Sequence, residues 1–316
     1  MRTGAAAGHR GYYHEAVYYD SDEELLAVVV PFLLGGVEAG EPTVVSLGER
    51  SAALVRGAVA DQPGISYLVG DGLYARPAAA IRSYRQLLAD YVRDGARQVR
   101  IIGEMPRPAF GATWDWWARY EAAINHAYDE FPLWSMCAYD TRITPGGVLR
   151  DVARTHPRVA TADGGHPRSA GYTDPVEFLG EPRSVTIDPI QGTPPVVELL
   201  DPSPAQARAA VAYADHGALS RGEIDDLVVA VSEMVTNAWR HGRPPVRVRF
   251  WAGVDRIVVT VSDKGSGPTD PYAGLLPTAE AASGGRGLWL VHQLCDHVAF
   301  DSRDGFTVRL TVGNPG

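Results

Sequence analysis

A single helical pattern in the last third of the chain constrains the fold most strongly. Between Ser220 and His241, apolar residues recur at steps of three and four, which is the spacing of a helix buried along one face. These positions are Ile224, Leu227, Val228, Val231, Val235 and Ala238. Ser220 and Glu223 form a capping-box pattern, so the helix is predicted to begin immediately after Ser220.

Two polar residues lie one turn apart on the wet face of this helix. Glu233 and Asn237 are four residues apart, whereas Val231 and Val235 point the other way, towards a core. An asparagine offers a neutral oxygen to Mg²⁺, and a glutamate can accept a proton or orient a nucleophile. Such pairs also occur on solvated helices, so the pair alone leaves both interpretations open.

Two glycine-containing motifs follow the helix. Asp263-Lys264-Gly265-Ser266-Gly267-Pro268 comes after two strand-like runs, 246–252 and 256–262. Gly284-Gly285-Arg286-Gly287-Leu288-Trp289-Leu290-Val291 opens a predicted helix. Glycines let the backbone approach a ligand closely, and free amides at a helix start suit phosphate oxygens. Each motif is weak alone, but their order favours a nucleotide site.

In this order, the three motifs resemble the N box and the two glycine boxes of the GHKL ATPase superfamily, which includes histidine kinases, gyrase, Hsp90 and MutL. The short segment 268–283 and the run from Gly285 to Val291 resemble one branch, the anti-sigma-factor serine/threonine kinases of the RsbW and SpoIIAB type. The resemblance implies a Bergerat fold, an α/β sandwich with a mixed sheet in which ATP lies between the helices and the sheet.

The resemblance also implies a role for each matching residue. Asn237 would hold Mg²⁺, Glu233 would be the catalytic base, and Asp263 would receive the adenine amino group. The remaining cofactor-binding residues are Gly265, Gly267, Gly285, Arg286, Gly287, Leu288 and Thr307. Leu288 also fits a core pattern, and the Thr307 contact is in doubt because the family's Gly-Thr-Thr is Gly-Phe-Thr here.

Charge and composition limit the partners and the compartment. Among 316 residues, 38 are acidic and 29 are Lys or Arg, a formal net charge of -9. Duplex binding needs a basic face, so we expect no direct nucleic-acid contact. We find no membrane-spanning run and no signal-peptide core. Cys137 and Cys295 form no disulfide framework or zinc motif, and these features together predict a cytoplasmic protein.

The first half of the chain alternates strands and helices. Predicted strands cover 15–19, 43–47, 65–69, 99–104 and 134–139, with helices after Ser21 and at 50–60, 77–93 and 114–130. This alternation predicts an α/β domain with a mostly parallel sheet between two helical layers, and residues before Arg10 are expected to be frayed. We expect domains at 10–160 and 195–316, joined by a Gly- and Pro-rich linker at 161–194.

The first domain resembles the MEDS sensory domain, which is found fused to anti-sigma kinase domains. The residues that carry the resemblance are His14-Glu15, Tyr19-Asp20-Ser21-Asp22, Gly103-Glu104, Glu121, Cys137-Ala138-Tyr139-Asp140 and Thr155-His156-Pro157. The family implies a three-layer, RecA-like sheet. The domain has no phosphate-binding Gly-x-x-x-x-Gly-Lys-Ser/Thr loop, so we predict no ATP site in this half.

Ligands of open parallel sheets gather at the carboxyl ends of strands. Glu104 and Asp140 each follow a predicted strand, so we expect a sensor pocket for an unknown small-molecule signal there. Its candidate residues are His14, Glu104, Tyr120, Glu121, Tyr139 and Asp140. Polar strand ends with aromatic core filling would give the same pattern without a ligand.

Three functions fit this organisation. The resemblance favours an anti-sigma kinase that binds ATP-Mg, holds a sigma factor and phosphorylates a serine or threonine of a STAS-type anti-anti-sigma protein. The second possibility is a sequestering module with little turnover. The third, a histidine-kinase-like sensor, lacks a phosphoacceptor helical hairpin in this sequence. Relatives of the kinase domain form homodimers, so a homodimer is possible.

Overall fold

The protein divides into two compact units. The computed structural model describes residues 1–60, 62–68, 76–183, 186–277 and 286–314. One unit comprises residues 1–74 and 80–179, and the other comprises residues 75–79 and 180–316. The boundary at Leu179 and Gly180 therefore falls inside the segment for which we expected a linker. Each unit has its own sheet.

The first unit has a parallel sheet. The strands are β1 (Tyr13–Tyr19), β2 (Thr43–Ser46), β3 (Ile65–Tyr67), β4 (Val99–Gly103), β5 (Leu133–Asp140) and β6 (Arg158–Val159). The helices are α1 (Asp22–Glu38), α2 (Glu49–Ala58), α3 (Pro77–Arg93), α4 (Trp114–Ala127), α5 (Gly146–Thr155) and α6 (Pro175–Gly180). The strand order is β3-β2-β4-β5-β1-β6, and every neighbouring pair is parallel. The predicted sheet is confirmed, whereas α5, α6 and β6 were not predicted.

Both faces of this sheet are covered. On one face, Val17 of β1 and Ile102 of β4 pack with Leu25 and Phe32 of α1. On the other face, Ala16 and Tyr139 pack with the apolar stripe of α5. Alternate residues of β1 thus enter opposite cores, as the period of two of a strand requires. Side chains buried on both faces explain why the strands read as continuous apolar runs.

The first ten residues are ordered, which contradicts the expected fraying. Gly4–Ala6 form a 3-10 turn, and the Ala6 side chain is fully buried. The guanidinium of Arg100 donates to Thr3 Oγ1 at 2.7 Å and to Glu41 Oε2 at 2.7 Å. A buried charge must be hydrogen-bonded, so the N-terminal segment completes the shell of Arg100. Sequence periodicity carries no signal for this kind of tertiary anchoring.

The buried ion pair between Arg100 and Glu41 predicts a large stability effect. We expect Glu41→Ala to reduce the free energy of unfolding of the first unit by about 3 kcal/mol, because it leaves a buried guanidinium without its counter-charge. Urea unfolding followed by tryptophan fluorescence measures this. The control Asp22→Asn breaks the exposed pair with Arg50 and should cost less than about 1 kcal/mol. Equal costs would contradict the prediction.

The second unit packs helices on one face of a five-stranded sheet. The strands are β7 (Val197–Leu200), β8 (Arg247–Ala252), β9 (Arg256–Asp263), β10 (His297–Asp301) and β11 (Phe306–Gly313). The helices are α7 (Pro204–Ala214), α8 (Arg221–His241) and α9 (Arg286–Leu294). The order is β10-β11-β9-β8-β7. Every described pairing is antiparallel, so the sheet is antiparallel and not mixed as predicted. Two hairpins, β8–β9 and β10–β11, supply two of the four pairings.

The longest helix of this unit has the predicted capping box. The Ser220 hydroxyl accepts from the Glu223 backbone N–H, and the Glu223 carboxylate accepts from the Ser220 N–H. Leu227, Val231 and Val235 are fully buried, which confirms the predicted apolar face. Helix α8 packs against α7, α9, β9 and β11. These contacts on several sides fix the orientation of the helix, including the face opposite its apolar stripe.

A segment before β7 lies against the edge and outer face of this sheet. Asp188 pairs with Arg256 at 3.1 Å, and the Trp251 indole donates to the Thr193 carbonyl at 2.9 Å. The Arg309 guanidinium donates to the carbonyl of Thr186. Residues 186–193 are therefore bound to the second unit by side chains of its strands.

Within the described ranges of the chain, no helix combines the length and the apolar character that a bilayer crossing requires.

Candidate nucleotide site

Helix α8 presents Glu233 and Asn237 on the face opposite its core. Val231 and Val235 are fully buried, whereas Glu233 and Asn237 are half-buried. The four-residue spacing stacks the two polar side chains one turn apart. The carboxylate and the carboxamide are thus held on a rigid element with their ends accessible.

The first turn of α9 lies directly against these two side chains. A Cβ atom added at Gly287 would lie 2.8 Å from Glu233 Oε2 and 3.1 Å from Asn237 Nδ2. A side chain at residue 287 would press on the ends of Glu233 and Asn237 and displace them, so glycine permits the close approach. The sequence motifs around 233 and 287 are separated by about 50 residues, yet the fold brings them into contact.

The Asp263 carboxylate sits where β9 ends against the end of α8. It is 7% exposed, and its Oδ1 accepts the backbone N–H of Arg243 at 3.1 Å and that of Gly265 at 2.5 Å. A Cβ at Gly242 would lie 2.3 Å from Asp263 Cγ, and one at Gly265 would lie 2.7 Å from Oδ1. Both donors bind Oδ1, and within the described residues we find no donor on Oδ2.

The glycine after this turn also has a physical reason. Gly267 has φ +75°, and a Cβ there would lie 2.4 Å from the ring of Phe306. Phe306 pairs with Asp263 in the register of β11 and β9, and Thr307 pairs with Ser262. Because strand residues alternate, Phe306 shares the helix-facing side with Val308 and Leu310, whereas Thr307 faces the opposite side. Phe306 therefore lies on the helix-facing side, whereas Thr307 lines a cavity of about 570 Å³ together with Asp263, and its adenine contact stays a prediction.

The other predicted cofactor residues lie at the start of α9. Arg286 is exposed at the first helical position, Gly287 is buried and Leu288 is half-buried. Gly285 lies outside the described residues, as does the segment 278–284. Val291, further along α9, is fully buried.

Sequence reasoning missed Gly242, Arg243 and Phe306. Gly242 caps the C-terminus of α8, and its lack of a side chain makes room for the Asp263 carboxylate. Arg243 contributes only its backbone N–H, which no sequence pattern can reveal. A glycine directly after the last helical residue was a signal that could have been used.

The six residues expected to form one sensor pocket lie in two places. Glu104 and Asp140 line a cleft of about 810 Å³ at the carboxyl ends of the strands. Glu104 accepts the Gly48 backbone N–H at 3.1 Å. Two hydrogen bonds from Arg142 hold the pKa of Asp140 below its usual range.

The remaining four residues are buried and do not line this cleft: His14 lies near the start of β1, Tyr120 and Glu121 lie on α4, and Tyr139 lies beside Asp140 at the end of β5. His14 is 1% exposed and Glu121 is 1% exposed, and Tyr139 donates to Glu121 at 2.8 Å. Tyr120 packs against Trp117 on α4. Because His14 lies five residues before the end of its strand, it is separated from that cleft by about 16 Å. The expectation of a single pocket is therefore corrected.

Comparison with known protein families assigns a class to each half. Residues 13–157 match the family described as MEDS, the methanogen/methylotroph DcmR sensory domain. Residues 200–312 match the histidine kinase-like ATPase domain. The first half of the chain is therefore similar to MEDS domains and the second half to histidine kinase-like ATPase domains, in agreement with the sequence motifs.

Several curated relatives of the ATPase half are named serine-protein kinase RsbW. The protein of Bacillus pumilus (strain SAFR-032) is 36% identical over 104 residues, which cover 28% of this chain and 64% of the relative. That of Bacillus subtilis (strain 168) is 34% identical over 102 residues, 28% of this chain and 64% of the relative. That of Staphylococcus aureus (strain MSSA476) is 28% identical over 137 residues, 36% of this chain and 84% of the relative. The chain thus spans less than two thirds of the length of the first two relatives.

The packing of Gly242 against Asp263 gives a testable expectation. We expect Gly242→Ala to destabilise the second unit by about 2 kcal/mol, because its methyl group would overpack the carboxylate. Thermal unfolding of the full chain measures the shift. The matched control is Gly222→Ala in the first turn of α8, where a Cβ meets no atom within 4 Å. That control should be neutral or stabilising by up to about 1 kcal/mol, and a similar loss there would contradict the prediction.

Proposed function

We propose that this protein is an ATP-dependent serine/threonine protein kinase of the anti-sigma type. It would sequester a sigma factor, phosphorylate a STAS-type anti-anti-sigma protein and be regulated by its MEDS domain. The observation that carries the proposal is the contact of Gly287 with both Glu233 and Asn237. That contact joins a candidate base and a candidate metal ligand to a helix start that suits phosphate oxygens.

The residues at Asp263 suit an adenine base. Two backbone N–H groups bind Oδ1, so Oδ2 is the oxygen that remains to accept a further hydrogen bond. An exocyclic amine is such a donor, and the adenine of ATP carries one. Gly265 and Gly242 leave no side chain between this carboxylate and a flat ring. The site therefore has an acceptor held at fixed geometry, as recognition of a base edge requires.

The residues on α8 suit the phosphates. Asn237 would hold Mg²⁺, which when bound offsets the phosphate charge. Glu233 would accept the proton of an incoming serine or threonine hydroxyl and orient its oxygen for attack. Arg286, exposed at the start of α9, would supply positive charge beside the terminal phosphate.

The partners follow from the relatives and from the chain's own charge. The similar proteins are named serine-protein kinases, which supports a protein hydroxyl as the phosphate acceptor. A net charge of -9 disfavours direct binding to nucleic acid, so control of transcription would act through a captured sigma factor. The MEDS domain would receive the signal. The proposed compartment is the cytoplasm, where the kinase would meet the sigma factor and the STAS-type protein.

Two substitutions on α8 separate nucleotide binding from phosphate transfer. We expect Asn237→Ala to weaken Mg²⁺-dependent ATP binding more than about tenfold, because the metal loses its oxygen ligand. Glu233→Gln should bind ATP within about threefold of the parent and transfer phosphate about 100-fold more slowly, because the base is lost. Calorimetry measures the affinity, and radiolabel transfer to a STAS-type protein measures the rate.

Asp225→Asn is the control, since Asp225 is an exposed carboxylate on the same helix. It should leave both measurements unchanged. If the parent binds ATP but never labels any STAS-type protein, the sequestering function replaces the kinase. If it binds no nucleotide, the whole proposal fails.

The orientation of Asp263 predicts a change in base preference. In Asp263→Asn, the two backbone donors would still bind Oδ1, so the amide Nδ2 would replace Oδ2. A donor would then face the adenine amine, and ATP affinity should fall about 10- to 100-fold. Inosine triphosphate carries an acceptor at that position and should lose less affinity than ATP.

Competition with a fluorescent nucleotide measures both affinities for the parent and the variant. An equal loss for both nucleotides would mean that Asp263 has a structural role only. Unchanged ATP affinity would remove Asp263 from the site.

A further inference from the structure

Four metal-ligating side chains meet inside the first unit, away from the nucleotide site. They are His14 on β1, Glu121 on α4, Cys137 on β5 and His156 directly after α5, and their ligand atoms all lie within 4.8 Å of one another. His14, Glu121 and His156 are each at most 1% exposed, whereas Cys137 is partly exposed. The proposed kinase chemistry uses none of them.

The tautomer of His14 is fixed by its neighbour Asn125. The Asn125 amide nitrogen donates to the backbone carbonyls of Glu121, Ala122 and Thr155, at 3.0, 3.3 and 2.8 Å. Its Oδ1 must therefore be the atom 3.0 Å from His14 Nδ1, and it accepts the Nδ1 proton. The Nε2 atom of His14 consequently carries a lone pair directed into the cluster.

His156 has the same arrangement. Its Nδ1 lies 2.9 Å from the Val152 carbonyl oxygen, which accepts the proton and leaves the lone pair on Nε2. Burial lowers the pKa of His156 to about 4, and burial with the neighbouring His156 lowers that of His14 well below its usual range.

Glu121 is held by one oxygen and presents the other. Oε1 accepts from the Tyr139 hydroxyl at 2.8 Å, whereas among the described residues Oε2 has no hydrogen-bond partner. The Nε2 atom of His156, 3.5 Å away, also has none. A buried carboxylate oxygen facing a nitrogen lone pair is unfavourable unless a proton or a cation lies between them.

The donor atoms lie close to the spacing of tetrahedral coordination, and all six distances between them are within 4.8 Å. His14 Nε2 is 3.4 Å from Cys137 Sγ and 3.9 Å from Glu121 Oε2, and the latter is 3.5 Å from His156 Nε2. Ligands bound at 2.0 to 2.3 Å to one tetrahedral ion lie roughly 3.3 to 3.6 Å apart. The outer hydrogen bonds from Asn125, Val152 and Tyr139 are the kind that orient metal ligands.

We propose that His14, Glu121, Cys137 and His156 form a buried tetrahedral site for a divalent transition metal, with Zn²⁺ as the fitting ion. On binding, the Cys137 thiol loses its proton to solvent, and a metal–sulfur bond forms. The thiolate and the Glu121 carboxylate carry two negative charges, so a divalent ion makes the buried site neutral. One thiolate, two imidazoles and a carboxylate are a ligand set that Zn²⁺ accepts.

The test uses the full chain without a histidine tag. Protein from zinc-supplemented growth is desalted, and its metals are measured by plasma mass spectrometry. We expect about one zinc ion per chain. The protein is then stripped with a chelator and titrated with Co²⁺, which reports tetrahedral geometry by visible absorption and a sulfur ligand by a near-ultraviolet charge-transfer band.

Two cysteine variants identify the sulfur. Cys137→Ser should lose the charge-transfer band, whereas Cys295→Ser, in the other unit, should keep it. The double variant His14→Ala/His156→Ala should fall below about one tenth of an ion per chain. Because these variants can fail to fold, X-ray absorption of the zinc-loaded parent is an independent measurement. It should show one sulfur at about 2.3 Å and nitrogen or oxygen neighbours at about 2.0 Å.

Three outcomes would overturn the proposal. They are a parent chain that binds neither Zn²⁺ nor Co²⁺ in stoichiometric amount, a cobalt spectrum that Cys137→Ser leaves unchanged, and X-ray absorption without a sulfur neighbour. In the first case the cluster is a hydrogen-bonded network in which a proton bridges Glu121 and His156, and in the other two the ion is bound without Cys137.

Discussion

The second unit depends on one carboxylate that joins the end of a helix to the end of a strand. Asp263 accepts backbone N–H groups from the residue after the α8 cap and from the turn that follows β9. Those two bonds hold Oδ1 between the helix end and the turn, and they fix the direction in which the second oxygen points. Helix α8, which carries Glu233 and Asn237, is thereby set in register with the sheet. The contact with Gly287 then sets α9 against the same two side chains.

The sequence was most informative where local chemistry and tertiary structure agree. The capping box at Ser220, the apolar stripe of α8 and the alternation of strands and helices in the first unit each have a local cause, and each was found in the structure. Glycines were also informative, because Gly267 needs a positive φ and Gly287 needs empty space beside it. The assignment of Asn237, Glu233 and Asp263 to ATP-Mg remains a prediction.

The sequence was least informative where contacts join distant segments. Nothing local indicates that Thr3 would bind Arg100, or that residues 186–193 would lie against strands of the second unit. The six residues expected to form one sensor pocket in the first unit were also wrongly grouped, because they lie at both ends of the strands. Its four metal-ligating members span residues 14 to 156 and come from four elements, so they leave no short spacing of the kind that reveals a zinc motif.

The close approach at Gly287 has a further consequence. The distance from that backbone to the polar pair is smaller than one methyl group requires. One methyl group at residue 287 would therefore fill the space between α8 and α9 while every functional side chain remained in the sequence. Residue 287 is therefore a position at which the site can be closed sterically, without any change in its charges, metal ligands or acid–base groups. A substitution at residue 287 would change the shape of the second unit and leave its chemical groups unchanged.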